Sequence, residues 1–261
     1  EIIMKAIGIM SGTSLDGIDI CLVNIHQIKK DYTYEIEQFK SYKYRLSLIN
    51  KIKEASKNDT STVQKICSLN YEVAYAYVEA IQQFINDTSC NMVEVDFIAM
   101  HGQTIWHNPN HMDGYFSSTL QIGEPAVIAY AFNKKVISNF RTMDMAAGGS
   151  GAPLIPFVNY QLYKNQNKNI AFQNIGGIGN VCYLKKNSSP DDVIAFDTGP
   201  GNMLIDGAMQ KLYHLDYDAF GNIAKKGKMI TEVLDEMLED SYLYMPCLLY
   251  TSDAADEARS V

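Results

Sequence analysis

Gly8-Ile9-Met10-Ser11-Gly12-Thr13-Ser14-Leu15-Asp16-Gly17-Ile18-Asp19 joins two apolar runs through a turn of glycine, hydroxyl and carboxylate residues. Such a turn offers backbone N–H groups to phosphate, and a carboxylate within it can hold a divalent cation. The same ingredients return far along the chain as Asn174-Ile175-Gly176-Gly177-Ile178-Gly179-Asn180 and Asp197-Thr198-Gly199-Pro200-Gly201-Asn202. Each is again reached from an apolar run. The recurrence predicts a nucleotide gripped by two halves of one molecule.

Outward from the first turn, residues 6–10, 18–25 and the alternating stretch 32–39 read as a β-meander. Residues 46–55 read as a short helix. Val63, Ile66, Leu69, Val73, Tyr77, Ile81 and Phe84 recur at three or four residues and predict a long helix over 62–85. Strands are expected at 95–100, 120–123 and 135–140, with a helix opened by Glu124-Pro125 and a further helix at 153–163 after a loop at 144–152. From residue 170 the plan restarts: a hairpin of 170–175 and 181–184, a strand at 193–196, and helices at 203–212 and 229–238. Identity between the halves is negligible, so the echo is architectural. The class expected is α/β with two similar lobes and a cleft, divided as 1–168, 169–244 and an atypical tail at 245–261.

Composition narrows the function. Of 261 residues, 47% are hydrophobic and 20% charged, which is ordinary for a globular protein. A net charge of −8 argues against nucleic acid and anionic membranes, which reward basic patches. No apolar run approaches the roughly 20 residues a membrane span needs. Cys21, Cys67, Cys90, Cys182 and Cys247 are dispersed without a C-x-x-C pair and read as reduced core thiols of a cytoplasmic protein. Met4 reads as the natural start, and 245–261 as foreign to the fold.

Familiar nucleotide motifs fail in detail. Ile18-Asp19 stands where a P-loop needs Lys-Ser/Thr, and Cys182 stands at the third glycine of a dinucleotide fingerprint. Gly149-Ser150-Gly151-Ala152 does not complete a G-x-S-x-G elbow, so a hydrolase triad is not expected. Thr13, Ser14 and Asp16 in one turn, with Asp197 and Thr198 in another, instead suit phosphate and Mg²⁺, which needs few protein ligands. His101-Gly102-Gln103-Thr104-Ile105-Trp106-His107-Asn108-Pro109 sets polar groups beside the sole tryptophan, a combination that suits a carbohydrate. The alternative is that Trp106 is core and His101 satisfies a backbone carbonyl. In Asn139–Pro153, a strand end is expected to deliver Arg141 and Asp144 ahead of a small-residue loop. Asp144 there suits a general base, or else a helix or turn cap.

Together these stretches resemble the 1,6-anhydro-N-acetylmuramic acid kinase family, within the sugar kinase, heat-shock ATPase and actin superfamily. The resemblance runs through residues 8–19, 101–109, 120–125, 139–156, 174–181 and 196–206. It implies a two-lobed actin-like, ribonuclease H-like ATPase fold with an interdomain cleft, its second lobe incomplete here. It further implies an enzyme that opens the 1,6-anhydro ring with water and phosphorylates O6 from ATP with Mg²⁺. The product is N-acetylmuramic acid 6-phosphate, in cytoplasmic peptidoglycan recycling. Asp144 maps onto the family's base. Gly12, Thr13, Ser14, Asp16, Gly176, Gly177, Gly179, Asn180, Asp197, Gly199, Gly201 and Asn202 map onto its ATP and phosphate contacts, with Asp16 and Asp197 toward the metal. His101, Gln103, Trp106 and Arg141 are expected at the sugar, Arg141 by a bidentate contact. The partners implied are the sugar and ATP, with a homodimer expected from the resemblance alone. Family members continue past this end with an adenosine-binding segment, which nothing after Gly227 supplies, so weak ATP binding or low stability is expected. A different sugar kinase or ATPase of the superfamily, and a non-turning-over sugar-binding module, are the competing readings.

Overall fold

Alternation in the first two strands decides which face is buried. β1 (Ile2–Met10) and β2 (Ile18–Ile28) pair antiparallel, with Ile7 opposite Leu22 and Ile9 opposite Ile20. Directly opposed residues share a face, so these four side chains form one apolar surface. Helix α2 (Val63–Thr88) supplies Leu69, Val73, Tyr77, Ile81 and Phe84 to the same core, and α1 (Leu46–Ala55) adds Leu48 and Ile52. Thr62 caps α2 by accepting the Lys65 N–H at 3.2 Å. The computed structural model describes residues 2–15, 17–29, 31–111, 114–164 and 166–244.

The chain divides into two compact units, Glu1–Ala152 and Pro153–Val261. In the first, β3 (Asp31–Tyr42), β4 (Phe97–Met100) and β7 (Lys135–Ile137) complete a five-stranded sheet of order β3-β2-β1-β4-β7. β1, β4 and β7 run parallel. That arrangement requires crossovers, and α2 provides the one leading into β4. A separate antiparallel pair, β5 (Gln103–Asn108) and β6 (Ser118–Ile122), precedes α3 (Pro125–Phe132). The fold is thus mixed α/β with a partly parallel sheet.

Residues 138–147 depart from the expected strand and loop. β7 stops at Ile137, and Asn139, with φ 62°, turns the chain into helix α4 (Phe140–Ala146). The β4–β7 ladder ends at the Ala99–Ile137 pair. Arg141 and Asp144 therefore lie one helical turn apart, where the sequence reading put a strand end and a loop.

In the second unit, β8 (Ile170–Ile175), β9 (Ile178–Leu184) and β10 (Ile194–Pro200) form an antiparallel sheet of order β10-β9-β8. Helix α5 (Ile155–Tyr163) contributes Tyr160 and Tyr163 to a small core of Cys182, Leu184 and Ala195, which is why it belongs to this unit. The Tyr163 and Phe172 rings meet at 4.9 Å. β10 runs past Phe196 with a bulge between Asp197 and Gly199, so these residues sit in a strand and not in a loop after one. Helices α6 (Asn202–Tyr213) and α7 (Thr231–Leu238) follow. The expected tail, 245–261, lies outside the described residues.

Candidate active site

The first glycine turn is closed by the Leu15 N–H donating to the Gly12 carbonyl at 3.2 Å. Thr13 is exposed and Ser14 half-buried at its tip, while Asp16 lies outside the described residues. The turn is anchored from beneath. Gln103 Nε2 donates to the Gly12 carbonyl at 3.1 Å, and Ser11 Oγ meets the Tyr77 hydroxyl at 2.6 Å. Tyr44 donates to Gln103 Oε1 at 3.3 Å and to the Tyr77 hydroxyl at 3.5 Å. Burial raises the Tyr44 phenol to about 12 and pushes Tyr77 well above the ordinary tyrosine value, so both stay protonated.

Gln103 is 0% exposed, and its amide holds the Gly12 turn from within the core, where the sequence reading put it at the sugar. Its position explains this: β5 starts at Gln103, directly below Gly12. Trp106 is half-buried on β5, opposite Leu120 of β6. His101 does meet a backbone carbonyl, with Nδ1 2.7 Å from the Gly102 oxygen. It also lines a cavity of about 420 Å³ together with Gln121, Glu124, Ser138 and Asn139. Asn70 of α2 shapes the floor of that cavity, accepting the Gly123 N–H at 2.7 Å and donating to Glu124 at 3.1 Å.

Arg141 is 2% exposed. Its Nε donates to His101 Nε2 at 2.8 Å and its Nη1 to the Gly151 carbonyl at 2.8 Å. Two of its donors are thereby engaged inside the protein, at His101 and at Gly151. Asp144, one turn on, is exposed. Its Oδ2 accepts the Gly151 N–H at 2.8 Å, so the carboxylate both caps the glycine loop and faces solvent.

In the second unit, the glycine turn and the start of α6 are fused. The N–H groups of Gly201 and Asn202 donate to the carbonyls of Gly177 and Gly176, each at 2.8 Å, and Met203 donates to Gly177 at 3.2 Å. These bonds satisfy helix-end donors that would otherwise be orphaned. A Cβ on Gly201 would overlap the Gly176 carbonyl, so only glycine permits this approach. Asn174, Asn180 and Asp197 stand opposite one another across the three strands. Gly179 lies beside Thr198, which accepts from Gln173 Nε2 at 3.2 Å. Gly199 is buried in the bulge and Asn202 is exposed at the first position of α6.

Asp197 Oδ2 is buried with no hydrogen-bond partner among the described residues, and burial raises its carboxyl above the usual 3.8. An orphaned carboxylate oxygen fits a cation. No group of three or more His, Cys, Asp or Glu that could hold a metal lies among the described residues. Cys21, Cys67, Cys90 and Cys182 are free thiols. No helix among the described residues is long and apolar enough to cross a membrane.

The family model for anhydro-N-acetylmuramic acid kinase covers residues 4–251. The chain belongs to that family. It is 47% identical over 240 residues to an anhydro-N-acetylmuramic acid kinase of Clostridioides difficile, a match spanning 92% of this chain and 63% of that one. A Bacillus cereus anhydro-N-acetylmuramic acid kinase is 48% identical over 242 residues, 93% of this chain and 62% of its own. The chain thus spans just under two thirds of these relatives. Among solved structures, a reductive activator for a corrinoid, iron–sulfur protein aligns at a TM-score of 0.40 and 16% identity, over 77% of this chain and 31% of its own, too loosely to argue from.

Sequence reading missed the residues that brace the first turn, Ser11, Tyr44 and Tyr77, and Gly151, which holds Asp144. Tyr77 carried a signal, since a tyrosine in an apolar helical stripe needs a partner for its hydroxyl.

Proposed function

We propose that the chain acts as an ATP-dependent kinase on 1,6-anhydro-N-acetylmuramic acid, yielding N-acetylmuramic acid 6-phosphate and ADP in peptidoglycan recycling. The observation that carries this reading is the exposed Asp144 carboxylate, held by the Gly151 N–H in a chain of this family. Asp144 takes a proton from water as the water oxygen bonds to the anomeric carbon. The bond from that carbon to O6 breaks, and O6 bonds to the γ-phosphorus of ATP as ADP departs. The proton rests on Asp144 at the end.

The protein's task in phosphoryl transfer is placement and charge neutralisation. The Gly12–Ser14 turn and the Gly176–Gly179 turn each supply backbone donors of the kind that bind phosphate. Asp197, and Asp16 by the resemblance, would hold Mg²⁺. That ion supplies neutralisation of the phosphate charge when bound. The cavity beside Gln121, Glu124 and Asn139 is of the size and mixed polarity that suit an amino sugar, with Trp106 nearby on β5 as an aromatic surface. Cytoplasmic location accords with the free thiols, and a homodimer follows from the family resemblance.

The test is an assay with the anhydro-sugar and excess ATP·Mg²⁺, following the 6-phosphate by mass spectrometry. Formation of a non-hydrolysed, anhydro product or of no sugar phosphate would count against the reading.

A further inference from the structure

The chemistry of Arg141 fixes that of its neighbour. A guanidinium Nε carries a proton at any working pH, so His101 Nε2 must accept. The imidazole proton then resides on Nδ1, where it is donated to the Gly102 carbonyl at 2.7 Å. Ser11 Oγ also approaches that carbonyl, at 3.4 Å, and the His101 N–H is itself bonded to the Ile9 carbonyl at 3.1 Å. His101 is thus fixed as one tautomer in one orientation, tied to β1.

On its other edge Arg141 holds the carbonyl of Gly151, whose N–H holds Asp144. One glycine is gripped at both ends: by the arginine through its oxygen and by the carboxylate through its nitrogen. Arg141 and Asp144 share a short helix, so the loop from Gly148 to Gly151 is closed onto that helix twice. The path from β1 to the carboxylate runs Ile9 carbonyl, His101, Arg141, Gly151, Asp144.

We propose that Arg141 and His101 are positioning residues for Asp144 and make no polar contact with the sugar; this rests on the reading of Asp144 as the base. His101 in its Nδ1–H form orients the guanidinium, the guanidinium sets Gly151, and Gly151 aims the carboxylate. An acceptor at the position of His101 Nε2 is the requirement. Glutamine offers one through Oε1, and leucine of similar bulk does not.

The test compares the wild-type chain with His101→Gln and His101→Leu. In ¹⁵N spectra of the wild type at neutral pH, His101 shows a protonated Nδ1 and an unprotonated Nε2. Amide exchange at Gly151 speeds by about tenfold in His101→Leu, the factor one lost hydrogen bond supplies, and stays near wild type in His101→Gln. In the kinase assay kcat falls by about 10- to 100-fold in the leucine variant at nearly unchanged sugar KM, and the glutamine variant recovers it. The Nε2–H tautomer, equal Gly151 exchange in the two variants, or a loss confined to KM would overturn the proposal. Should Asp144→Asn turn over like wild type, the base reading fails instead, while tautomer and exchange still report on the Arg141–His101 pair.

Discussion

Gly149 lies against Asp144 so closely that a Cβ added to the glycine would overlap the carboxylate oxygens. The overlapped atoms are the far end of a flexible side chain, so Gly149→Ala displaces the carboxylate at little cost to the fold. The expected result is a fall in kcat of about 100-fold, as a 1 Å misplacement gives. Thermal unfolding should move by less than about 1 kcal/mol. A loss of stability equal to the loss of activity would show the loop to be structural only.

Gly201 gives the opposite outcome. Its added Cβ meets the Gly176 backbone carbonyl, which cannot swing aside. Gly201→Ala is expected to destabilise the second unit by about 1–3 kcal/mol, the usual cost of overpacking. Denaturant unfolding monitored in that unit measures it, and an unchanged midpoint would contradict the fused turn.

The pH behaviour of Asp197 follows from its burial. Its folded carboxyl titrates above the ordinary 3.8, so the folded state is favoured below that value and loses this advantage as pH rises through the raised one. At neutral pH without Mg²⁺ the ionised carboxylate opposes folding. Asp197→Asn should therefore raise the melting temperature at pH 7, by an amount that shrinks toward pH 4. Added Mg²⁺ should stabilise the wild type and not the variant. A melting temperature that rises equally in both on adding Mg²⁺ would remove Asp197 from the metal.

Beneath the first turn, the Ser11 and Tyr77 hydroxyls meet at 2.6 Å in the core. Tyr77→Phe removes this bond, leaves Ser11 only its longer contact with the Gly102 carbonyl, and is expected to cost about 1–3 kcal/mol. With Ser11→Ala added, the pair should cost less than the sum of the single changes. Strict additivity would mean that the contact has no energetic weight.

Much of the architecture was legible because it is written in local pattern. The period of Leu69, Val73, Tyr77, Ile81 and Phe84 gave α2, and the glycine turns marked both hairpins. What escaped was set by partners distant in sequence. Whether residues 138–140 continue a strand depends on how far the ladder with β4, some 40 residues earlier, extends. Gln103 and Arg141 have the composition of ligand-binding residues, yet each is buried by a neighbour that no local pattern reveals: the Gly12 carbonyl for one, His101 and Gly151 for the other. Asp144 was legible as a carboxylate beside small residues. The turn cap offered as its alternative role is seen in its bond to the Gly151 N–H, and only the structure names that partner.

The most direct measurement is turnover of 1,6-anhydro-N-acetylmuramic acid with ATP·Mg²⁺ in large excess, comparing the chain with Asp144→Asn, alongside calorimetric titration of the sugar. The account predicts a drop in ring opening of about 10²- to 10⁴-fold, the span attributed to a general base, with sugar affinity kept. Equal turnover by the two proteins would contradict it.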